Sequence, residues 1–181
     1  MKVLAVSGSL RSGSHNTRLL RAAAEAAPEG VEAELWEGIG DLPIYSEDLE
    51  GGPLPDSVQR LRRNWAEADA ILFATPEYNG SIPGGLKNAV DWASRPRGEA
   101  ALANKTVAVV GASIGQFGAM WAQQDLRKAL GLAGARVVGQ ELPVARADQG
   151  FDESVHERLR DVLESLVIAN ATRRSYEAAA A

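Results

Sequence analysis

The segment Ser7-Gly8-Ser9-Leu10-Arg11-Ser12-Gly13-Ser14-His15-Asn16-Thr17 gathers groups that hold an anion. Its glycines let the backbone turn with N–H groups outward, its hydroxyls add donors, and Arg11 adds a positive fork. Ser14 or Asn16 can cap a helix starting there, and a helix N-terminus favours negative charge. The composition is that of a phosphate cradle. Gly8 and Gly13 have P-loop spacing, but Ser14 stands where that motif has Lys, and Gly-x-Gly-x-x-Gly is absent. One terminal phosphate therefore suits the segment better than a triphosphate or pyrophosphate. The plainer alternative is a polar turn with a helix cap. His15 is read as a helix-start residue within the cradle, not as a catalyst.

A second segment runs from Ala74 through Thr75-Pro76-Glu77-Tyr78-Asn79-Gly80-Ser81-Ile82-Pro83 to Trp92. Pro76, Gly80 and Pro83 shape it, Tyr78 offers an aromatic face, and Asn79 and the amides offer hydrogen bonds in a plane. That set suits a flat heterocycle with polar edges. The plainer alternative is a rigid strand–helix connection, with Leu86, Val90 and Trp92 in the core. A third segment, Gly111-Ala112-Ser113-Ile114-Gly115, matches the Gly-x-Ser-x-Gly nucleophile elbow, with Asp148 and His156 downstream in hydrolase order. The short chain and the lack of an HGGG-type oxyanion loop weigh against a hydrolase.

These segments need strands behind them and helices after them. The pattern predicts strands at Val3–Val6, Val31–Trp36, Ala70–Ala74, Thr106–Val110 and Arg136–Leu142. Helices are predicted at Asn16–Ala27, Asp56–Glu67, Pro83–Ser94, Phe117–Ala133 and Glu153–Ala171, with a frayed Ala-rich tail. Five βα units imply a parallel sheet with helices on both faces. Five strands without a sixth favour the flavodoxin-like three-layer α/β order 2-1-3-4-5, whose ligands sit beyond the carboxyl ends of the strands. Residues 1–181 are read as one domain.

Taken together, GSLRSGSHN, TPEYNGSIPGGLKNAVDW and GASIG resemble the NADPH-dependent FMN reductase family, which includes quinone, azo and chromate reductases. The resemblance implies an FMN phosphate held by Ser9, Arg11, Ser14 and Asn16, with His15 and Thr17 adjacent. It implies Pro76, Glu77, Tyr78, Asn79 and Gly80 along the isoalloxazine, and Ser113 approaching from the other side. Glu77 is read as loop-shaping, since hydride transfer to a flavin needs no protein acid at that step. The implied reaction passes a hydride from NADPH or NADH to FMN and then reduces a small acceptor. Lys87, Arg95 and Arg97 lie where a dinucleotide phosphate could be met. A nicotinamide-independent electron carrier is a further alternative, though such carriers are more acidic than this chain. The resemblance also implies a homodimer or homotetramer, and Leu42–Leu54 is either part of a partner's pocket wall or a surface excursion. Gln116–Trp121 is read as pocket lining or a subunit contact.

Composition narrows the rest. A net charge of −5 with scattered basic residues gives no nucleic-acid footprint. With 0 cysteines, thiolate chemistry and disulfides are excluded, and with 2 histidines, His15 and His156, a His-based metal site is not expected. No apolar run approaches the ~20 residues of a membrane span, and the chain opens on a strand rather than a signal sequence. The expected location is the cytoplasm.

Overall fold

The computed structural model describes residues 1–180. The strands are β1 (Lys2–Ser7), β2 (Glu32–Trp36), β3 (Ala70–Ala74), β4 (Thr106–Ala112), β5 (Arg136–Val137) and β6 (Leu142–Val144). The helices are α1 (His15–Glu25), α2 (Asp56–Glu67), α3 (Gly84–Ala93), α4 (Met120–Leu132) and α5 (Glu153–Ala180). All pairings are parallel, in the order β2-β1-β3-β4-β5, with β6 also on β4. The flavodoxin-like order expected from the pattern is present, with a sixth short strand added.

Period-two alternation sends successive side chains to opposite faces. Leu4, Val6, Ile71, Phe73, Val107 and Val109 meet Leu61, Trp65, Leu86, Trp92, Leu126 and Leu130 of α2, α3 and α4. Val3, Ala5, Leu72, Ala108 and Val110 meet Leu19, Leu20, Leu159, Leu163 and Leu166 of α1 and α5. Trp65 packs edge-on against both Phe73 and Trp36, with ring centroids at 5.2 and 5.9 Å.

The expected fifth strand, Arg136–Leu142, is divided. Gly139 has φ +68, a left-handed conformation that leaves the ladder. Arg127 donates to the carbonyls of Val138 and Gly139, at 3.4 and 2.9 Å, so the interruption is hydrogen-bonded. The chain then returns to β4 as β6, pairing Leu142 with Val110 and Val144 with Ala112. The tail expected to fray after Ala171 continues α5, whose Ala, Arg and Glu are good helix formers. Arg174 pairs there with Asp69. Among the described residues no helix is long and apolar enough to cross a membrane.

Candidate functional site

The loops after β1, β3 and β4 meet at the carboxyl end of the sheet. Gly8 N–H donates to Ala74 O at 2.8 Å, joining the first loop to the end of β3. A Cβ on Gly8 would stand 2.7 Å from Leu86 Cδ2, so this turn packs directly on α3. Ser14 is the N-cap of α1, its Oγ accepting from Thr17 N–H at 3.2 Å. The amides of His15 and Asn16 follow, and the first amides of a helix have no carbonyl partner within it. Thr17 Oγ1 donates to Ser7 Oγ at 2.9 Å, and Ser7 Oγ accepts from Ser9 N–H at 3.3 Å. Ser9, Arg11, Ser12 and Thr17 line a cavity of about 280 Å³ together with Arg21 and Trp36. His15 Nδ1 is buried without a hydrogen-bond partner.

Asn16 faces inward, and its place differs from the expectation of a phosphate contact. It is 2 % exposed, its Nδ2 donates to Ala112 O at 3.0 Å, and its Oδ1 accepts from Ala112 N–H at 2.9 Å. The side-chain amide thus fixes the end of β4, immediately before Ser113, to the start of α1. Nothing in the sequence separates an inward Asn from an outward one at a helix start.

In the second loop, Tyr78 and Ser81 exchange backbone hydrogen bonds at 3.0 and 3.2 Å around Asn79 and Gly80, whose φ values are +54 and +74. Two left-handed residues in a two-residue loop make a type I′ turn, for which Asn-Gly is the preferred pair. The Asn79-Gly80 pair is itself the sequence signal for that turn, beyond the hydrogen-bonding capacity of Asn79. Pro76 is buried, Glu77 half-buried, and Tyr78 is 53 % exposed. Glu77 Oε2 accepts from Ala122 N–H at 3.1 Å, and Ser81 donates to Asp125 Oδ2 at 2.7 Å, so the loop is tied to α4 twice. Pro83 precedes α3, which starts at the same place.

The third loop is no nucleophile elbow. Seven residues, Ser113–Ala119, separate β4 from α4, whereas the elbow turns from strand to helix at the serine. Ser113 Oγ accepts from Gly115 N–H at 3.0 Å, while His156 Nδ1 lies 2.9 Å from Asp152 O. Among the described residues no hydrogen bond joins Ser113, His156 and Asp148, and the hydrolase alternative has no triad.

Two of the three basic residues noted after the second loop have partners. Lys87 pairs with Asp91 at 2.6 Å, and Arg95 donates to Tyr45 Oη at 3.3 Å beside Glu50. The Leu42–Leu54 segment is strapped to α3: Asn88 accepts from Tyr45 N–H at 2.8 Å, and both Asn88 and Trp92 donate to Pro43 O at 2.9 Å. Asn88 and Gln123 are buried polar residues that the sequence pattern does not single out. Each sits on an apolar helix face, where a polar side chain gives no pattern of its own.

Comparison with known proteins adds independent findings. A family model described as NADPH-dependent FMN reductase matches residues 1–149. An NAD(P)H-dependent FMN reductase of Pseudomonas aeruginosa is 44% identical over 153 residues, 84% of this chain and 82% of the relative. A 2-hydroxy-1,4-benzoquinone reductase of a Burkholderia species is 42% identical over 127 residues, 70% of this chain and 68% of the relative. Among solved structures, the flavoenzyme NAD(P)H:(acceptor) oxidoreductase FerB from Paracoccus denitrificans superposes with a TM-score of 0.82 at 36% identity, covering 94% of this chain and 97% of that one.

Proposed function

The chain belongs to the NADPH-dependent FMN reductase family, and from that premise we propose how its own residues serve the reaction. It is an FMN-dependent oxidoreductase that uses NAD(P)H to reduce a small-molecule acceptor. The observation that carries the residue assignments is the convergence of two unlike surfaces at one sheet end. One is the donor-rich loop at the N-terminus of α1, and the other is the exposed Tyr78 loop at the N-terminus of α3.

The donor set fits FMN. Ser9, Arg11, Ser12 and Thr17 line a cavity at the start of α1 and would offer hydroxyls and a guanidinium to the FMN phosphate, where the helix N-terminus favours an anion. Pro76, Glu77, Tyr78, Asn79 and Gly80 would hold the flavin ring, and Ser113 would add a further contact to it. Asn16 acts indirectly, by holding the Ser113 loop against α1. FMN, when bound, supplies the acceptance of a hydride from NADPH or NADH and the release of two electrons to the acceptor. The protein supplies position and charge: the amides at the start of α3 favour negative charge on the ring, and no side chain needs to act as a covalent catalyst.

We read residues 1–181 as one unit, located in the cytoplasm, where NAD(P)H is available. A homodimer or homotetramer is supported by an open groove of about 930 Å³ along α3 and α4, where Val90, Ala129, Ala133 and a Leu132 that is 82% exposed line it together with charged residues such as Lys87 and Asp125. Titration of the apoprotein with FMN and with FAD tests the cofactor site. One FMN per chain, bound more tightly than FAD, is expected; equal or tighter FAD binding contradicts a cradle built for a terminal phosphate.

A further inference from the structure

Leu10, Tyr78, Ile114, Phe117 and Trp121 are large apolar side chains left exposed, and all belong to the three site loops or the first turn of α4. Single exposed apolar residues are ordinary, but a group of them at the ligand end of a sheet marks a binding surface. Within the group, Phe117 and Trp121 form a pair, their ring centroids 4.8 Å apart and tilted by 54°.

The segment presenting this pair is held firmly. Gly118 and Ala119 are successive left-handed residues, with φ +56 and +61. A Cβ on Gly118 would stand 2.5 Å from Val144 N, so the loop lies directly on the backbone of β6. Gln123, fully buried, donates to Gly118 O at 3.1 Å and accepts from Leu142 N–H at 2.9 Å. Ser113 N–H donates to Val144 O at 3.0 Å. From the other side, Glu77 binds the amide of Ala122, next to Trp121. A left-handed alanine is disfavoured by its β-carbon and persists only where its surroundings fix it. Two aromatic rings are therefore held half in water, beside the Tyr78 loop, by a scaffold with little freedom to withdraw them.

We propose that Phe117 and Trp121 form the wall on which the acceptor's ring rests, and that they set a preference for planar aromatic acceptors of the quinone class. The proposal rests on the reductase reading of the same site. Aromatic faces pair with flat rings in offset or tilted contact, and a quinone ring gains by leaving water there. A small inorganic anion has no ring to stack, and it would meet the carboxylates of Glu77 and Asp125 on the same rim. The overall reaction balances as NAD(P)H, one proton and a quinone giving NAD(P)+ and a hydroquinone. Ferricyanide instead takes the two electrons singly and leaves one proton in solution.

The test compares menadione with ferricyanide as acceptors for the FMN-loaded wild type, Trp121→Ala, Trp121→Phe and Phe117→Leu. Calorimetry with menadione and the oxidised protein, without NAD(P)H, measures binding separately from turnover. The ratio of menadione to ferricyanide kcat/KM should fall about five- to ten-fold in Trp121→Ala, with a matching loss of menadione affinity and recovery in Trp121→Phe. Phe117→Leu should move the ratio the same way, and it decides the matter should Trp121→Ala fail to fold. An unchanged ratio overturns the assignment. So does a smaller assembly in sedimentation velocity with both acceptors equally affected, since the pair would then be a subunit contact. A wild type that takes up no FMN would instead refute the reductase reading itself, and the acceptor wall with it.

Discussion

The Glu77 carboxylate accepts a hydrogen bond from the backbone amide of Ala122 at 3.1 Å. The N-cap of α4 is Ala119, which has no side-chain acceptor, and Ala122 is the third residue of the helix. An N-cap Ser or Asp ordinarily serves that amide. Here the acceptor comes from the loop after β3, so one bond caps α4 and fixes the loop that carries Tyr78.

Removing that acceptor should act on both. Glu77→Ala is expected to cost about 1 kcal/mol of stability, as loss of a cap does, and to weaken FMN binding several-fold by loosening the loop. Glu77→Gln keeps an oxygen in place and should lose less in both measures. Urea unfolding and flavin fluorescence titration read the two effects. Stability and FMN affinity in Glu77→Ala equal to the wild type would mean that the bond couples nothing.

Arg11 lines the cavity beside Ser9 and Ser12. If its guanidinium faces the FMN phosphate, Arg11→Ala loses a charge-assisted contact worth roughly 1.5–3 kcal/mol. FMN affinity should fall about ten- to a hundred-fold, while riboflavin, which has no phosphate, should bind as before. An equal loss for both ligands would show that Arg11 acts through the fold.

Much of this arrangement was legible in the sequence because strands and helices impose their own periods. Val3–Val6 and Ala70–Ala74 are unbroken apolar runs buried on both faces, and Val58, Leu61 and Trp65 in α2, like Leu86 and Val90 in α3, recur at helical spacing. The division at Gly139 was not legible, because an isolated glycine after the apolar pair Val137-Val138 reads equally as strand. Side-chain direction was harder still. Asn16 lies beside residues that face the cavity and yet turns inward to Ala112. Gln123 and Asn88 matter through backbone atoms distant in sequence, and local pattern carries no trace of those partners.

Asp152 links stability to pH. Its carboxyl caps α5, accepting from the Ser154 hydroxyl at 2.7 Å and from Val155 N–H at 3.1 Å. The Ser154 hydroxyl bond first, then the backbone bonds, hold its pKa below the ordinary aspartate value. A carboxyl depressed in the folded state contributes stability in full above its unfolded pKa of about 4, and that stability is lost as pH falls through the lowered folded value. The Tm gap between wild type and Asp152→Ala should therefore be widest near neutral pH and narrow below about pH 4. A gap that does not change with pH would show that the charge contributes nothing.

Anaerobic reduction of the FMN-loaded protein bears most directly on the central claim. One equivalent of NADPH or NADH per bound FMN should bleach the visible flavin band, and a quinone added afterwards should restore it. A protein that stays colourless after incubation with FMN, or whose flavin band NAD(P)H leaves unchanged, would contradict the account.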